Sequence, residues 1–511
     1  MRALHAEWTK FRTVRGWALG AVGAMLASAL FLLVGTASSN EHPQRATALS
    51  AGPGGGAVND SFYFVHRALS GDGGITVPVT ALTGVLADPA GAGTASAATA
   101  GGPSGTTSGV TPWSKAGILV KQSLDQGSSY AAMMVTGAHG VRMQDDFTHD
   151  RAGLTGSPST AEPRWLRLVR TGGTVTGYDS TDGERWTEVG TARLPESTTT
   201  VQVGLFVAAP AAVQASGGGS SSPATATGSF GRVTLSGSWG QAAGGWQGLQ
   251  VGDDAGTSGS YTPGTSGGWT TTSEGFTVTG AGDIAPVVGG PALGPAFTVE
   301  TFLVGTFVGL IMLTVVAVQF VTAEYRRGLL GQTLASTPHR GRMLLAKAAV
   351  VATVAFAVGA AAAAVSIPLG ELRARATHFA VLTVPTTVQT RAVLGTGLLL
   401  AATAVLSLAL GVVLRRSATA ITAVVAATVL PYLLAFGGML PSGPAEWLLR
   451  LTPAAGFAVQ QTLPRYDQVL TVYAPSSGYF PLSPWGGLAV LGAWSALALA
   501  AATVLLRRRD V

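Results

Sequence analysis

Residues 301–322 contain no Asp, Glu, Lys or Arg, and five further windows share that property: 16–36, 348–370, 392–414, 418–440 and 485–506. An apolar run of about 20 residues is what an α-helix needs to cross the hydrocarbon of a bilayer. A helix satisfies its own backbone hydrogen bonds there, where water cannot. Six such runs predict a multi-pass α-helical membrane protein with six transmembrane helices and both termini on one side.

The flanks decide which side. Lys10, Arg12 and Arg15 precede the first run, Arg326, Arg327, Arg340, Arg342 and Lys347 separate the second from the third, Arg415 and Arg416 separate the fourth from the fifth, and Arg507 to Arg509 follow the sixth. All fall on one face, which the positive-inside rule makes cytoplasmic. The loop between the third and fourth runs dissents, because Arg373, Arg375 and Arg391 would lie outside. The cell membrane is the expected location, with residues 37–296 extracellular.

Those roughly 260 residues between the first two runs are rich in Gly, Ser and Thr. They hold 12 Lys+Arg against 18 Asp+Glu, a net charge of −6, which leaves +12 for the rest of a chain whose total is +6. The basic pI of about 9.8 therefore reflects membrane topology, not a nucleic-acid partner. Charged residues make up only 11% of the chain and the mean hydropathy is +0.39, as expected for a membrane protein with a large water-facing insertion. Cysteine is absent, which excludes disulfides and thiolate chemistry.

A cleaved signal peptide would also begin basic and then apolar, but the run at 16–36 exceeds the usual 7–15 residues. The preceding segment, 1–15, places Leu4, Trp8 and Phe11 at helical spacing with Lys10 and Arg12 on other faces. This pattern predicts an amphipathic helix in the cytoplasmic headgroup region of the lipid bilayer.

The insertion reads as strands. Trp165 to Arg170 ends at Gly172-Gly173, Thr174 to Ser180 follows, Asp182-Gly183 turns the chain and Arg185 to Val189 returns. Two successive hairpins make a meander. Other strand candidates are 61–66, 74–82, 116–122, 130–136, 201–208 and 229–236, so an all-β sandwich with its core at about 58–237 is expected. Asp145, Asp146, Asp179 and Trp186 are the candidates for a ligand surface on it, a cell-surface glycan being the partner they would suit. A glycosidase needs two carboxylates across a cleft. Asp182 and Asp179 are better explained by their turn, so no catalytic, cofactor-binding or metal-ligating residue is assigned and the chain is not expected to be an enzyme.

Trp113-Ser114-Lys115-Ala116-Gly117-Ile118, Trp165-Leu166-Arg167-Leu168, Tyr178 to Trp186 and Val203-Gly204-Leu205-Phe206-Val207 resemble the concanavalin and laminin-G type jelly-roll sandwiches. The resemblance implies a lectin-like fold, which binds sugars in some proteins and serves as a contact surface in others.

None of the six runs carries the ionisable residues that coupling to protons or sodium would need. The chain also lacks a G-x-x-x-x-G-K-[ST] phosphate loop, so energy must come from another subunit. The start Leu4 to Arg15, the segment Glu324-Tyr325-Arg326-Arg327-Gly328 through Pro338-His339-Arg340-Gly341-Arg342, and Leu414-Arg415-Arg416-Ser417 resemble actinobacterial ABC-2 type transporter permeases in the same order. That resemblance implies a six-helix half-transporter, a second permease copy or paralogue, and a cytosolic ABC ATPase seated on the loop 323–346. It also implies a re-entrant segment at 441–484 that caps the pathway.

The function expected is that of a permease subunit exporting a hydrophobic or amphipathic compound, with Thr306, Thr314, Gln319, Ser407 and Thr422 lining the route. The alternative is a membrane-anchored surface receptor or carbohydrate-binding protein acting through the sandwich.

Overall fold

The computed structural model describes residues 2–37, 49–87, 106–195, 199–214, 220–241, 244–252, 261–262, 264–289, 296–326, 340–377 and 379–508. Among them are nine α-helices: α1 (Arg2–Thr13), α2 (Arg15–Ala37), α3 (Val299–Phe302), α4 (Thr306–Arg326), α5 (Arg340–Ala376), α6 (Thr386–Leu414), α7 (Ser417–Phe436), α8 (Ser442–Leu451) and α9 (Pro484–Arg508). Five of these, α4, α5, α6, α7 and α9, are long and apolar enough to cross a membrane. The chain is thus built to be embedded in a membrane, with a β-sandwich region beside the helices.

The helix bundle is organised around α6, which packs against α5, α4, α9 and α7. Its most apolar stretch is 61% buried, against 17% for α9 at the periphery. Gly20 of α2 faces Val316, Gly23 faces Met312, and Gly305 and Gly309 face Ser28, so α2 runs antiparallel to α4. A side chain at Gly305 would meet the Ser28 carbonyl at 2.0 Å. Small residues let the two backbones approach, which is how apolar helices gain packing without a hydrophobic drive. Similar pairings, Gly359 with Thr396 and Gly411 with Val321, bring the α4 C-terminus, the α5 N-terminus and the α6 C-terminus to one end. Gly341 adjoins Thr503 and Arg507, so α9 ends there too.

Two expectations change in detail. The second run does not begin a helix at 301: α3 ends at Phe302 and α4 starts at Thr306. Two of the dissenting arginines, Arg373 and Arg375, have a physical explanation, because α5 is 37 residues long. At about 1.5 Å per residue it measures about 55 Å against a hydrocarbon core of about 30 Å, so Arg373 and Arg375 sit on an overshoot.

The β region has two large sheets. One has nine strands, with the path 187–193, 174–180, 164–171, 73–87, 224–230, 276–280 and 268–271, and two short strands pairing with 73–87. The other has seven, in the order 247–251, 62–70, 200–208, 115–121, 130–136, 141–145 and 149–152. The expected meander is present as three consecutive antiparallel strands. The sandwich is longer than 58–237, since strands as far as Phe276–Gly280 belong to its two sheets, and the 229–236 candidate is split into Ala224–Phe230 and Thr234–Gly237.

Alternation along Lys115–Lys121 explains a third layer. Ala116, Ile118 and Val120 enter the core between the two large sheets, with Ile75, Val77, Leu166 and Leu168 opposite. Leu119 points to the other face, into a second core with Phe62, Phe64, Tyr130, Phe206 and Ile284. Side chains alternate with period two, so Lys115 and Lys121 share that second face. It is covered by a small sheet of strands 50–51, 57–60 and 284–286.

Candidate functional site

At the end of the bundle where the basic flanks collect, four charged side chains form a cluster. Lys347, on the first turns of α5, is wholly buried and donates to Glu7 Oε2 at 2.8 Å and to Glu324 Oε1 at 2.7 Å. Lys10 reaches the same carboxylates, Glu7 Oε1 at 3.4 Å and Glu324 Oε1 at 3.3 Å. Burial opposes the charge of Lys10, but the carboxylates of Glu7 and Glu324 outweigh it and hold its pKa above the ordinary lysine value. Beneath lies an aromatic seat: the Lys347 ammonium is 4.6 Å from the Phe320 ring, and Phe320 packs edge-on against Phe11 and Trp17. Two positive and two negative groups cancel, which is the arrangement in which charges tolerate burial.

This cluster joins α1 to the last turn of α4 and the first turns of α5, the two helices that flank residues 327–339. Of the expected ATPase-coupling residues, Glu324 is in it. Arg342 is exposed on α5, Tyr325 and Arg326 end α4, and Arg340 begins α5. Arg327, Gly328 and Pro338 lie outside the described residues.

The amphipathic helix is present as α1, but its faces differ from the expected division. Leu4 and Trp8 are exposed, Arg12 is exposed, and Phe11 is buried against Trp17 and Phe320. Phe11 therefore anchors the helix to the bundle, and only Leu4 and Trp8 present an apolar face outward. Sequence reasoning missed Glu7 and Lys347 as partners; the usable signal was opposite charges at the edges of neighbouring apolar runs.

Among the residues expected to line a route, Thr306, Thr314 and Ser407 are buried between helices. Thr306 donates to the Leu303 carbonyl and Ser407 to the Thr403 carbonyl. Gln319 and Thr422 are exposed on α4 and α7.

In the β region each candidate carboxylate already has a partner. Asp145 pairs with Arg151 at 2.5 Å and His149 at 2.9 Å. Asp146 sits in a left-handed turn, φ 46°, and accepts from the Ser129 hydroxyl at 2.6 Å. Asp179 is buried and accepts the Leu154 N–H at 2.6 Å; burial pushes its carboxyl up, which that hydrogen bond opposes. Asp182 caps its own turn, and the backbone N–H groups of Arg185 and Glu184 with the Ser180 hydroxyl hold its carboxyl at about 2. Trp186 is half-buried with the Arg167 guanidinium 3.8 Å above its ring. Asp145 and Asp179 lie on strands of different sheets. No group of three or more His, Asp or Glu suited to a metal occurs among the described residues.

No family model and no curated protein matches the chain. Among solved structures, it is similar to a functionally unknown protein from Saccharomyces cerevisiae, at 14% identity and a TM-score of 0.22, over 38% of this chain and 83% of that one. It is also similar to scytalido-glutamic peptidase bound to a transition state analog inhibitor, at 9% identity and a TM-score of 0.26, over 45% of this chain and all of that one. Likeness at this level carries no argument about activity.

Proposed function

We propose that the chain is the permease subunit of an ABC-2 type transporter, which exports a hydrophobic or amphipathic compound and is energised by a separate cytosolic ATPase. The observation that carries the reading is the charge cluster, because Lys347, Glu7 and Glu324 bind α1 to both helices that flank residues 327–339. A push on that loop reaches three helices at once. On this reading the α1 end is cytoplasmic, α2 is a sixth membrane crossing, and the β region is an extracellular insertion between the first two crossings.

In the cycle proposed, ATP closes the partner dimer, the loop moves with it, and α4 and α7 of two copies exchange inward-facing for outward-facing access. Gln319 and Thr422, polar and exposed on those helices, are the groups left to face the route or the second copy.

The alternative is an anchored receptor acting through the sandwich. It receives less support, since Asp145, Asp146 and Asp179 are engaged within the chain.

The test is co-purification of the detergent-solubilised chain with an ABC ATPase encoded beside it, wild type against Arg326→Glu/Arg327→Glu. ATPase retained by wild type and lost with the reversal supports the permease. Wild type that retains none moves the function to the sandwich.

A further inference from the structure

The β region does not stand free of the helices, and much of the contact runs through residues 460–480. Gln460, buried at the end of the 3-10 helix Pro453–Gln460, donates to Thr306 Oγ1 of α4 at 3.2 Å and to Thr396 Oγ1 of α6 at 3.0 Å. The next three residues are held from two sides. Glu300 Oε1 accepts the N–H groups of Thr462 and Leu463, and Arg391 of α6 donates to the Gln461 carbonyl. These are charged groups on backbone atoms, the stronger class of hydrogen bond.

Leu463 then packs with Val287 of the β region, together with Leu382 and Tyr479. The Tyr479 hydroxyl accepts the Gly289 N–H at 3.0 Å, and Thr471 donates to the Gly289 carbonyl at 3.2 Å. Further along, Val469 packs on Ala285 and Val288, and Gln468 donates to the carbonyls of Phe147 and Thr148 at 3.4 and 3.2 Å. Behind Ala285, the strand Ile284–Pro286 is fastened to the seven-stranded sheet: Lys115 binds Asp283 at 2.5 Å and the Ile284 carbonyl at 2.7 Å.

We infer that residues 460–463 are a joint that ties the position of the β region to α4 and α6, and that segment 464–480 is the intramolecular partner of the β region's cover strands. Gln460 is bonded to Thr306 and Thr396, the adjoining peptide units of 461–463 are held separately by Arg391 and Glu300, and apolar packing continues from Leu463 to Val287. Movement of α4 against α6 therefore displaces the β region, and a force on the β region reaches those helices. The inference concerns mechanical coupling and holds whether or not the chain is a permease.

Backbone hydrogen exchange on the full chain in lipid nanodiscs tests it. Gln460→Leu cuts the joint on the helix side, and Tyr479→Phe with Gln468→Ala loosens it on the β side. Each change should raise exchange on the opposite side of the joint by about two- to thirtyfold, at 284–289 and 147–150 for the first and at 303–310 and 393–400 for the second. The meander at 164–193 should stay unchanged. A rise confined to the mutated side overturns the joint, as does an equal rise in the meander, which would be general loosening. Where Gln460→Leu does not fold, Tyr479→Phe, which removes one hydroxyl, carries the test alone.

Discussion

Lys347 and Glu324, 23 residues apart in sequence, meet at 2.7 Å with the lysine side chain entirely out of solvent. The pair closes the gap between the end of α4 and the start of α5, and Glu7 draws α1 into it. Removing the ammonium leaves two buried carboxylates with only the partly exposed Lys10 to balance them, a loss of up to about 3–5 kcal/mol.

Lys347→Met should therefore release α1. Backbone exchange over residues 4–13 is expected to rise by at least about a hundredfold, and adding Glu7→Gln and Glu324→Gln should restore much of the protection. Full protection of α1 in Lys347→Met would mean that Phe11, Trp17 and Phe320 hold the helix unaided.

The second buried pair lies under the cover strands. Lys121 donates to Asp60 at 2.7 Å, both side chains being fully buried, and burial pushes the Asp60 carboxyl up and the Lys121 ammonium down. Their mutual attraction opposes both shifts, together with the Gly127 N–H donated to Asp60 and the Ser128 carbonyl that accepts from Lys121. Lys121→Met or Asp60→Asn alone should cost the β region about 3–5 kcal/mol, while the double variant should lie within about 1 kcal/mol of wild type. Urea unfolding followed by tryptophan fluorescence gives the order; strictly additive losses would show that the two residues act independently.

His66 supplies a pH dependence. Its Nδ1 is 2.8 Å from Gln202 Oε1, its Nε2 is buried without a partner, and burial pulls its pKa below 6.5, with the Gln202 hydrogen bond opposing. A depressed folded-state pKa contributes stability that is complete above the unfolded value and is lost as pH falls through the folded value. Unfolding of the β region should thus become easier as the pH drops below about 6.5, and His66→Gln should flatten that part of the profile. An unchanged slope in the variant would assign the acid sensitivity to other groups.

Gly117 has no room for a side chain. A Cβ there would lie 2.1 Å from the Met133 carbonyl oxygen, backbone that cannot swing away. Gly117→Ala should cost about 3 kcal/mol or more, whereas Gly268→Ala, with open space around it, should change stability by less than about 1 kcal/mol. Similar melting of the two variants would show that the neighbouring strand yields.

How much of this was legible beforehand follows from the range of each interaction. The strand 174–180 was visible from its alternation between glycine turns and 130–136 from a short apolar run between turn residues, because those signals are local. Strands beyond 237 were not, since the Thr- and Gly-rich stretch 247–286 carries weak alternation and becomes strand only by pairing with 62–70 and 224–230. The sequence also misplaced Phe11: spacing put it with Leu4 and Trp8, but the contact with Phe320 claims it for the bundle.

By itself, the order of residues determined where the chain is apolar enough to enter a membrane, where the basic flanks fall, and that a stranded insertion separates the first run from the second. Those properties are sums over neighbouring residues and need no partner. Only the tertiary structure decided that Glu7, Glu324 and Lys347 form one cluster, that the sandwich carboxylates are internally paired, and that Gln460 stands between helices and sheets. Apart from the Asp145 pairs with Arg151 and His149, each depends on contacts between residues tens to hundreds of positions apart, which packing geometry selects and local pattern does not record.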